Sequence, residues 1–165
     1  MNLKLVIILF SCLALQIACK KSNSEPDPGF QCKLNGKTWR PYNDDFKSSE
    51  AEIHLLNNGE SIFIQASNSR SREAFGIGIY SPGKPITPGK YILDRKTDFR
   101  GFYERRTTQE LFYTGSGYEG VLEILKIDKV KSRISGTFYF KAYNETSKSM
   151  VDITKGKFNL EYFNF

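Results

Sequence analysis

ISGTFYFKAYN, residues 134–144, sets Phe138, Phe140 and Ala142 against Tyr139, Lys141 and Tyr143 in strict alternation. A period of two places these trios on opposite faces of a β-strand, the first toward a core and the second toward water. Downstream, Met150 to Thr154 and Gly156 to Phe163 read as a closing hairpin through Lys155, with Phe158, Leu160 and Tyr162 on one face. Upstream, Gln109 to Thr114 and Glu119 to Ile127 read as strands, separated by the turn Gly115-Ser116-Gly117. The charged stretch Asp128 to Arg133 turns the chain back into residues 134–144.

Two Asn-Gly pairs pin further registers. Asn35-Gly36 is the preferred pair for a two-residue type I′ hairpin. It sets Leu34 opposite Lys37, Lys33 opposite Thr38 and Cys32 opposite Trp39, so that Phe30, Cys32, Leu34 and Trp39 share the inner face. Cys32 is then a small buried hydrophobe packed against the indole. A second hairpin, Ala51 to Leu56 with Glu60 to Gln65, turns at Asn58-Gly59. It aligns Ile53 with Ile64 and Leu55 with Ile62, and leaves His54 and Phe63 on the opposite face. Ser67 to Arg72 is a turn, and Glu73 to Tyr80 is a strand with Phe75, Ile77 and Ile79 inward. Gly76 and Gly78 fall on its other face, where a backbone or ligand can approach closely.

The remaining stretches are connections. Tyr42 to Glu50 is polar, and Ser81 to Lys90 is rich in Pro and Gly. Tyr91 to Leu93 is a short strand. Asp94 to Thr108 has no clean period and reads as a long loop. No stretch sustains a 3.6-residue period with caps. The expected fold is therefore all-β: a single antiparallel β-sandwich or flattened barrel of about eight to ten short strands, preceded by a signal segment.

That segment is Leu3 to Lys21. Lys4 gives a positive start, Leu5 to Leu15 is apolar apart from Ser11, and Ala18-Cys19 follows. A charged start, a short apolar core and a small residue at a cut site is the secretory pattern. The apolar run is too short for a spanning helix, which needs about 20 residues. Cys19 directly after Ala18 resembles the lipobox of bacterial lipoproteins, with Gln16 standing where the family usually has Leu. The resemblance implies cleavage before Cys19 and diacylglyceryl attachment to its thiol, several acyl chains being enough for stable anchoring. The expected organisation is a signal peptide over 1–18, a flexible tether over 19–29 and a β domain over 30–165. Lys20 to Gly29 has no apolar periodicity and reaches on the order of 17–20 Å.

Composition agrees with that address. Removing 18 residues from 165 leaves 147, one ordinary domain able to bury about two-thirds of its surface. The formal net charge is +6, or +5 once Lys4 leaves with the signal, which suits anionic surfaces or acidic glycans. Nucleic acid is not expected as a partner, on account of the export signal. Of three cysteines, Cys12 lies in the signal and Cys19 is the lipid site, so Cys32 has no intrachain partner.

Phe30-Gln31-Cys32-Lys33-Leu34-Asn35-Gly36-Lys37-Thr38-Trp39 resembles the opening hairpin of a family of uncharacterised β-rich lipoproteins of the Bacteroidota. Similar elements continue at Pro88-Gly89-Lys90-Tyr91, Ile134-Ser135-Gly136-Thr137-Phe138 and Ile153-Thr154-Lys155-Gly156-Lys157-Phe158. The resemblance implies a tethered β domain of unknown function. It carries no active site, so no catalytic residue is transferred from it.

No catalytic constellation stands out. His54 is the single His, which leaves too few ligands for a His/Cys zinc site and only one candidate for a triad base. Asp44-Asp45 with Glu50 and Glu52, and Asp94 with Asp98, lack the spacing of a calcium loop. Gly76-x-Gly78 lacks the third Gly of a dinucleotide fingerprint. Asn144-Glu145-Thr146 matches a glycosylation acceptor and is read as coincidence. Neither a metal nor a cofactor is expected.

The stretch Arg95 to Arg106, RKTDFRGFYERR, is the candidate for recognition. Aromatic faces beside guanidinium groups stack on sugar rings or clamp acidic groups. The expected ligand-binding residues are Arg95, Phe99, Arg100, Tyr103, Arg105 and Arg106. The functional expectation is a membrane-anchored cell-envelope lipoprotein and not an enzyme; resemblance to other lipoproteins, with Lys20 next to the Cys, implies the outer membrane. Its β domain would be a binding or interaction module for a glycan or envelope protein. The alternatives are an envelope glycan hydrolase working through Asp or Glu carboxylates, and a purely structural envelope protein.

Overall fold

In the computed structural model, nearly every described residue lies in, or next to, a β-ladder. Residues 29–44, 50–94, 97–115 and 117–164 are described. The signal, Cys19, most of the tether, Asp45 and Arg95 lie outside them. Among the described residues eleven strands follow in order: β1 (Phe30–Leu34), β2 (Lys37–Trp39), β3 (Ala51–Leu56), β4 (Ser61–Asn68), β5 (Glu73–Tyr80), β6 (Gly89–Leu93), β7 (Phe99–Arg105), β8 (Glu110–Tyr113), β9 (Gly120–Asp128), β10 (Arg133–Asn144) and β11 (Ser149–Asn164). They form one sheet in the order β2-β1-β11-β3-β4-β5-β7-β8-β10-β9-β6, with β10 also paired to β11. The ladders thus run from β11 through β3, β4, β5, β7, β8 and β10 and return to β11. This is the expected sandwich, or flattened barrel, joined edge to edge.

The turns explain why the chain doubles back where it does. Asn35 (φ 47°) and Gly36 (φ 81°) take the left-handed conformations of a type I′ turn. The register that follows matches expectation: Cys32 with Trp39, Lys33 with Thr38, Leu34 with Lys37. The second hairpin pairs Ile53 with Ile64 and Leu55 with Ile62, also as expected. The hairpins β4–β5, β7–β8, β9–β10 and β10–β11 share a four-residue connection whose last residue, Arg72, Gln109, Ser132 or Lys148, has positive φ. In three of them the strand-ending Asn68, Asp128 or Asn144 accepts backbone N–H bonds from the turn through its side-chain oxygen. Short Asx side chains bonding their own turn in this way hold it closed.

Three expectations are corrected. Residues 94–108 are not a loop: Phe99–Arg105 is a strand laddered to β5 on one side and β8 on the other. Lys155 does not turn a hairpin: β11 runs unbroken for 16 residues, and Lys155 (φ 51°) sits in a bulge where the β10 register slips between Phe138 and Phe140. One extra residue on β11 is absorbed there with a local bend. The sheet is also not wholly antiparallel, because the end of β11 pairs parallel to β3, Tyr162 with Ile53.

The interior is aromatic. Phe30, Trp39, Phe75, Tyr103 and Phe112 form a chain of rings with successive centroids 6.0, 4.5, 5.1 and 5.5 Å apart. Phe138 joins it through Phe30 and leads to Phe140 and Phe158. Aliphatic side chains of β3, β4 and β5, from Ile53 to Ile79, fill the space beside them. Phe30 is the first inward residue of the domain, buried to 2% exposure.

Candidate functional site

The strand identity of Phe99–Arg105 decides which predicted binding residues can act together. Side chains alternate across a strand. Phe99, Tyr103 and Arg105 therefore point inward, and Arg100, Phe102, Glu104 and Arg106 point outward, in line with the buried and exposed positions along β7. No single surface can present Arg100, Tyr103 and Arg105 together. Phe99 packs edge-on against Tyr91. Arg106 pairs with Glu104 at 3.0 Å on the outer face. The proposed six-residue site is thus divided, with Arg95 outside the described residues.

The inward set is a closed cluster. Tyr103, 0% exposed, donates its hydroxyl to Glu73 Oε1 at 2.7 Å. Trp39 Nε1 donates to Glu73 Oε2 at 2.8 Å, and Ser71 Oγ donates to the same oxygen at 2.7 Å. Arg105 Nη1 meets Glu110 Oε2 at 2.8 Å, with the guanidinium over the rings of Tyr103 and Phe112. Burial, reinforced by the bond to Glu73, raises the Tyr103 hydroxyl pKa above its ordinary value. Burial works against the Arg105 charge, but Tyr103 and Glu110 outweigh it and raise its pKa. Glu110 is held below the ordinary carboxylate range by hydrogen bonds from Thr108 and Ser147, then by Arg105. Beside this cluster, burial pushes the Cys32 thiol up to about 12, and the Glu73 charge adds to it. A thiol so disfavoured from ionising is inert, as expected.

The outward set opens onto a cavity. Between β8 and β10 the ladder is reduced to one pair, Tyr113 with Tyr143. At this seam lies a depression of about 590 Å³, lined by Arg100, Tyr113, Thr114, Tyr118, Tyr143 and Glu145 among others. Tyr118 and Tyr143 stack in parallel, 4.8 Å between centroids and 3° between planes. Tyr118 is brought there by the bridge Gly115–Tyr118, which turns the chain out of β8. The floor is fixed from below: the buried Thr114 hydroxyl accepts from the Gly101 N–H at 3.1 Å. Asn144 donates to the Leu111 carbonyl at 2.9 Å and accepts from Thr146 and Ser147. Both ends of that amide are engaged and the residue is buried, so the Asn144 sequon is structural.

Arg100 is the one predicted residue that the cavity retains. Among the described residues it has no carboxylate partner, unlike Arg105 and Arg106. Tyr113, Tyr118 and Tyr143 were not singled out from sequence. The available signal was the outward position of Tyr143 in an alternating strand; their convergence needed the seam. Chemically, the stacked rings present apolar faces with negative π density, and Arg100 adds a fork of donors with fixed positive charge. A concave, mostly aromatic wall with a few placed polar groups is the usual form of a small-molecule site.

On the same outer face a second, polar depression of about 230 Å³ is lined by Glu50, Glu52, Gln65, Phe102, Glu104 and Arg106 among others. Among the described residues no group of three His, Cys, Asp or Glu side chains converges as a metal set. No helix among them is long and apolar enough to cross a membrane.

A family model described as a domain of unknown function, DUF6252, matches residues 26–160. No curated protein matches the chain, and no solved structure matches it.

Proposed function

For a chain that belongs to the DUF6252 family, we propose a membrane-anchored cell-envelope lipoprotein whose β domain is a non-catalytic glycan-binding module. The cavity at the β8–β10 seam carries this proposal. Three tyrosines converge on an open depression with one arginine that has no carboxylate partner among the described residues. Sugar rings turn a face of C–H groups outward, and such a face stacks on the negative π surface of Tyr118, Tyr143 or Tyr113. Hydroxyl or acidic substituents at the ring edge then reach Arg100 and the Thr146 and Glu145 rim.

The membrane half of the proposal comes from the sequence. Cys19 follows an apolar run of export-signal length and precedes a polar tether. A Cys19→Ala change should move the protein from the membrane to the soluble fraction; persistence in the membrane fraction would remove the lipid anchor from the account. For the binding half, Tyr143→Ala is the test. On a panel of envelope and dietary polysaccharides followed by affinity electrophoresis, the wild type should be retarded by at least one polymer. Tyr143→Ala should bind that polymer about tenfold less tightly, the size expected for losing one stacked ring. Equal retardation of the two proteins would rule the cavity out as the binding site. Release of new reducing ends from that polymer, lost in Glu145→Gln, would instead favour a hydrolase, since Glu145 is the carboxylate on the rim.

A further inference from the structure

The cavity is one end of a longer row of rings. The ladders set Tyr143 opposite Tyr113, Tyr113 opposite Phe102 and Phe102 opposite Gly76. Phe63 lies opposite Gly78 on one side and His54 on the other, and His54 lies opposite Phe163. Phe102 is 6.4 Å from Tyr113 and 6.3 Å from Phe63, the latter pair within 21° of parallel. The row crosses β5 where its outward positions are glycines. A Cβ on Gly76 would run into the Phe102 ring, so only Gly lets that ring lie flat on the β5 backbone. Gly76 therefore serves this outer row, whereas a Cβ on Gly78 would sit in ordinary contact with Phe63.

Two features say what the row takes. Its rings follow one another across five strands, from Tyr143 on β10 to Phe63 on β4, with Glu52, Gln65 and Glu104 along one side. A line of rings suits a chain laid along it, whereas a protein face or a membrane needs a broad apolar patch. Along most of its length the strands beneath it, β3, β4, β5 and β7, are each paired on both sides and offer no edge to an added peptide strand. Arg100 stands beside the row, in register with Gly78, and also lines the cavity. Arg105 and Arg106 are neutralised by Glu110 and Glu104; the Arg100 charge has no such partner among the described residues. A guanidinium left open beside stacked rings matches a carboxylate or other acidic group on the ligand.

We propose that Arg100 and the row Tyr143–Tyr113–Phe102–Phe63 form a track for a linear acidic glycan, its acid group on Arg100 and successive sugars laid along the rings. The proposal rests on the glycan-binding reading of the cavity and adds the charge and length of the ligand. The test uses the full-length mature protein in detergent. The probes are linear acidic polysaccharides (polygalacturonate, alginate, hyaluronan), their short and long oligomers, and neutral cellulose oligomers of matched length, followed by calorimetry.

At least one acidic series should bind, its long oligomers at least tenfold tighter than its short ones, and tighter than the neutral series. Phe63→Thr, which keeps a strand-forming side chain, should abolish the length advantage. Arg100→Gln, a change at an exposed position with no ion pair among the described residues, should cut acidic binding about tenfold and flatten its salt dependence. The track is overturned if long and short oligomers bind alike, if neutral oligomers bind as well as acidic ones, or if both variants behave as wild type. Should Tyr143→Ala still weaken binding about tenfold in those cases, the cavity stands and only the track falls. Should Tyr143→Ala have no effect, or no glycan bind at all, both fall.

Discussion

The two faces of β7 carry similar residues with opposite fates. Inside, Tyr103 and Trp39 meet Glu73, and Arg105 meets Glu110, so each has a carboxylate partner. Outside, Arg100 meets Tyr113, Tyr118 and Tyr143 around an open depression. An aromatic–arginine composition therefore does not identify a binding site. What identifies it is whether the protein has already used the groups. Glu73 is the difference: one carboxylate satisfies Trp39 and Tyr103 and ties the first hairpin to the centre of the sheet.

The comparison can be broken from its inner side first, where the effects are largest. Trp39→Ala removes a ring with 6% exposure that touches Phe30 and Phe75, and should cost about 3–5 kcal/mol in urea unfolding. A cost below about 1 kcal/mol would mean the hairpin is peripheral. Glu73→Ala should cost about 2–3 kcal/mol, because it leaves the Trp39 N–H and Tyr103 O–H without their acceptor. A double change with Tyr103→Phe should recover part of that loss, since the stranded hydroxyl is then gone.

Smaller effects sharpen the contrast. The Cys32 thiol has a folded pKa raised from 9.0 to about 12. The unfolded chain therefore loses this proton first, and stability should decline as pH rises from 9 toward 12. Peptide mapping after a thiol reagent should find Cys32 unlabelled in native protein and labelled in urea; rapid native labelling would place it outside the core. Arg106→Ala, which breaks only the outer pair with Glu104, should change stability by about 0.5 kcal/mol or less.

Much of the fold was legible because turn chemistry is local. Asn35-Gly36 and Asn58-Gly59 announce their hairpins, and the pairings Cys32–Trp39, Ile53–Ile64 and Leu55–Ile62 follow by counting. Strand β7 was not legible, and both of its faces explain why. Inward Gly101 breaks the apolar run because the Phe140 ring lies against it, 3.1 Å from where a Cβ would stand. Outward Phe102 breaks the polar run because it belongs to the aromatic row. With both faces out of pattern, the period of two disappears. Lys155-Gly156 looked like a turn because a bulge and a hairpin share a residue of positive φ. The candidate site was half visible: Arg100 came from a local cluster. Tyr113 and Tyr143, 30 positions apart, meet only across the seam, which no local pattern encodes.

The most direct measurement pairs Arg100→Gln with Arg105→Gln, reading acidic-glycan affinity and urea midpoint on each. Arg100→Gln should lose affinity and keep its midpoint; Arg105→Gln should keep affinity and unfold at lower urea. If Arg105→Gln lost affinity at an unchanged midpoint, or Arg100→Gln lowered the midpoint and left affinity intact, the division of β7 into a structural and a binding face would be contradicted.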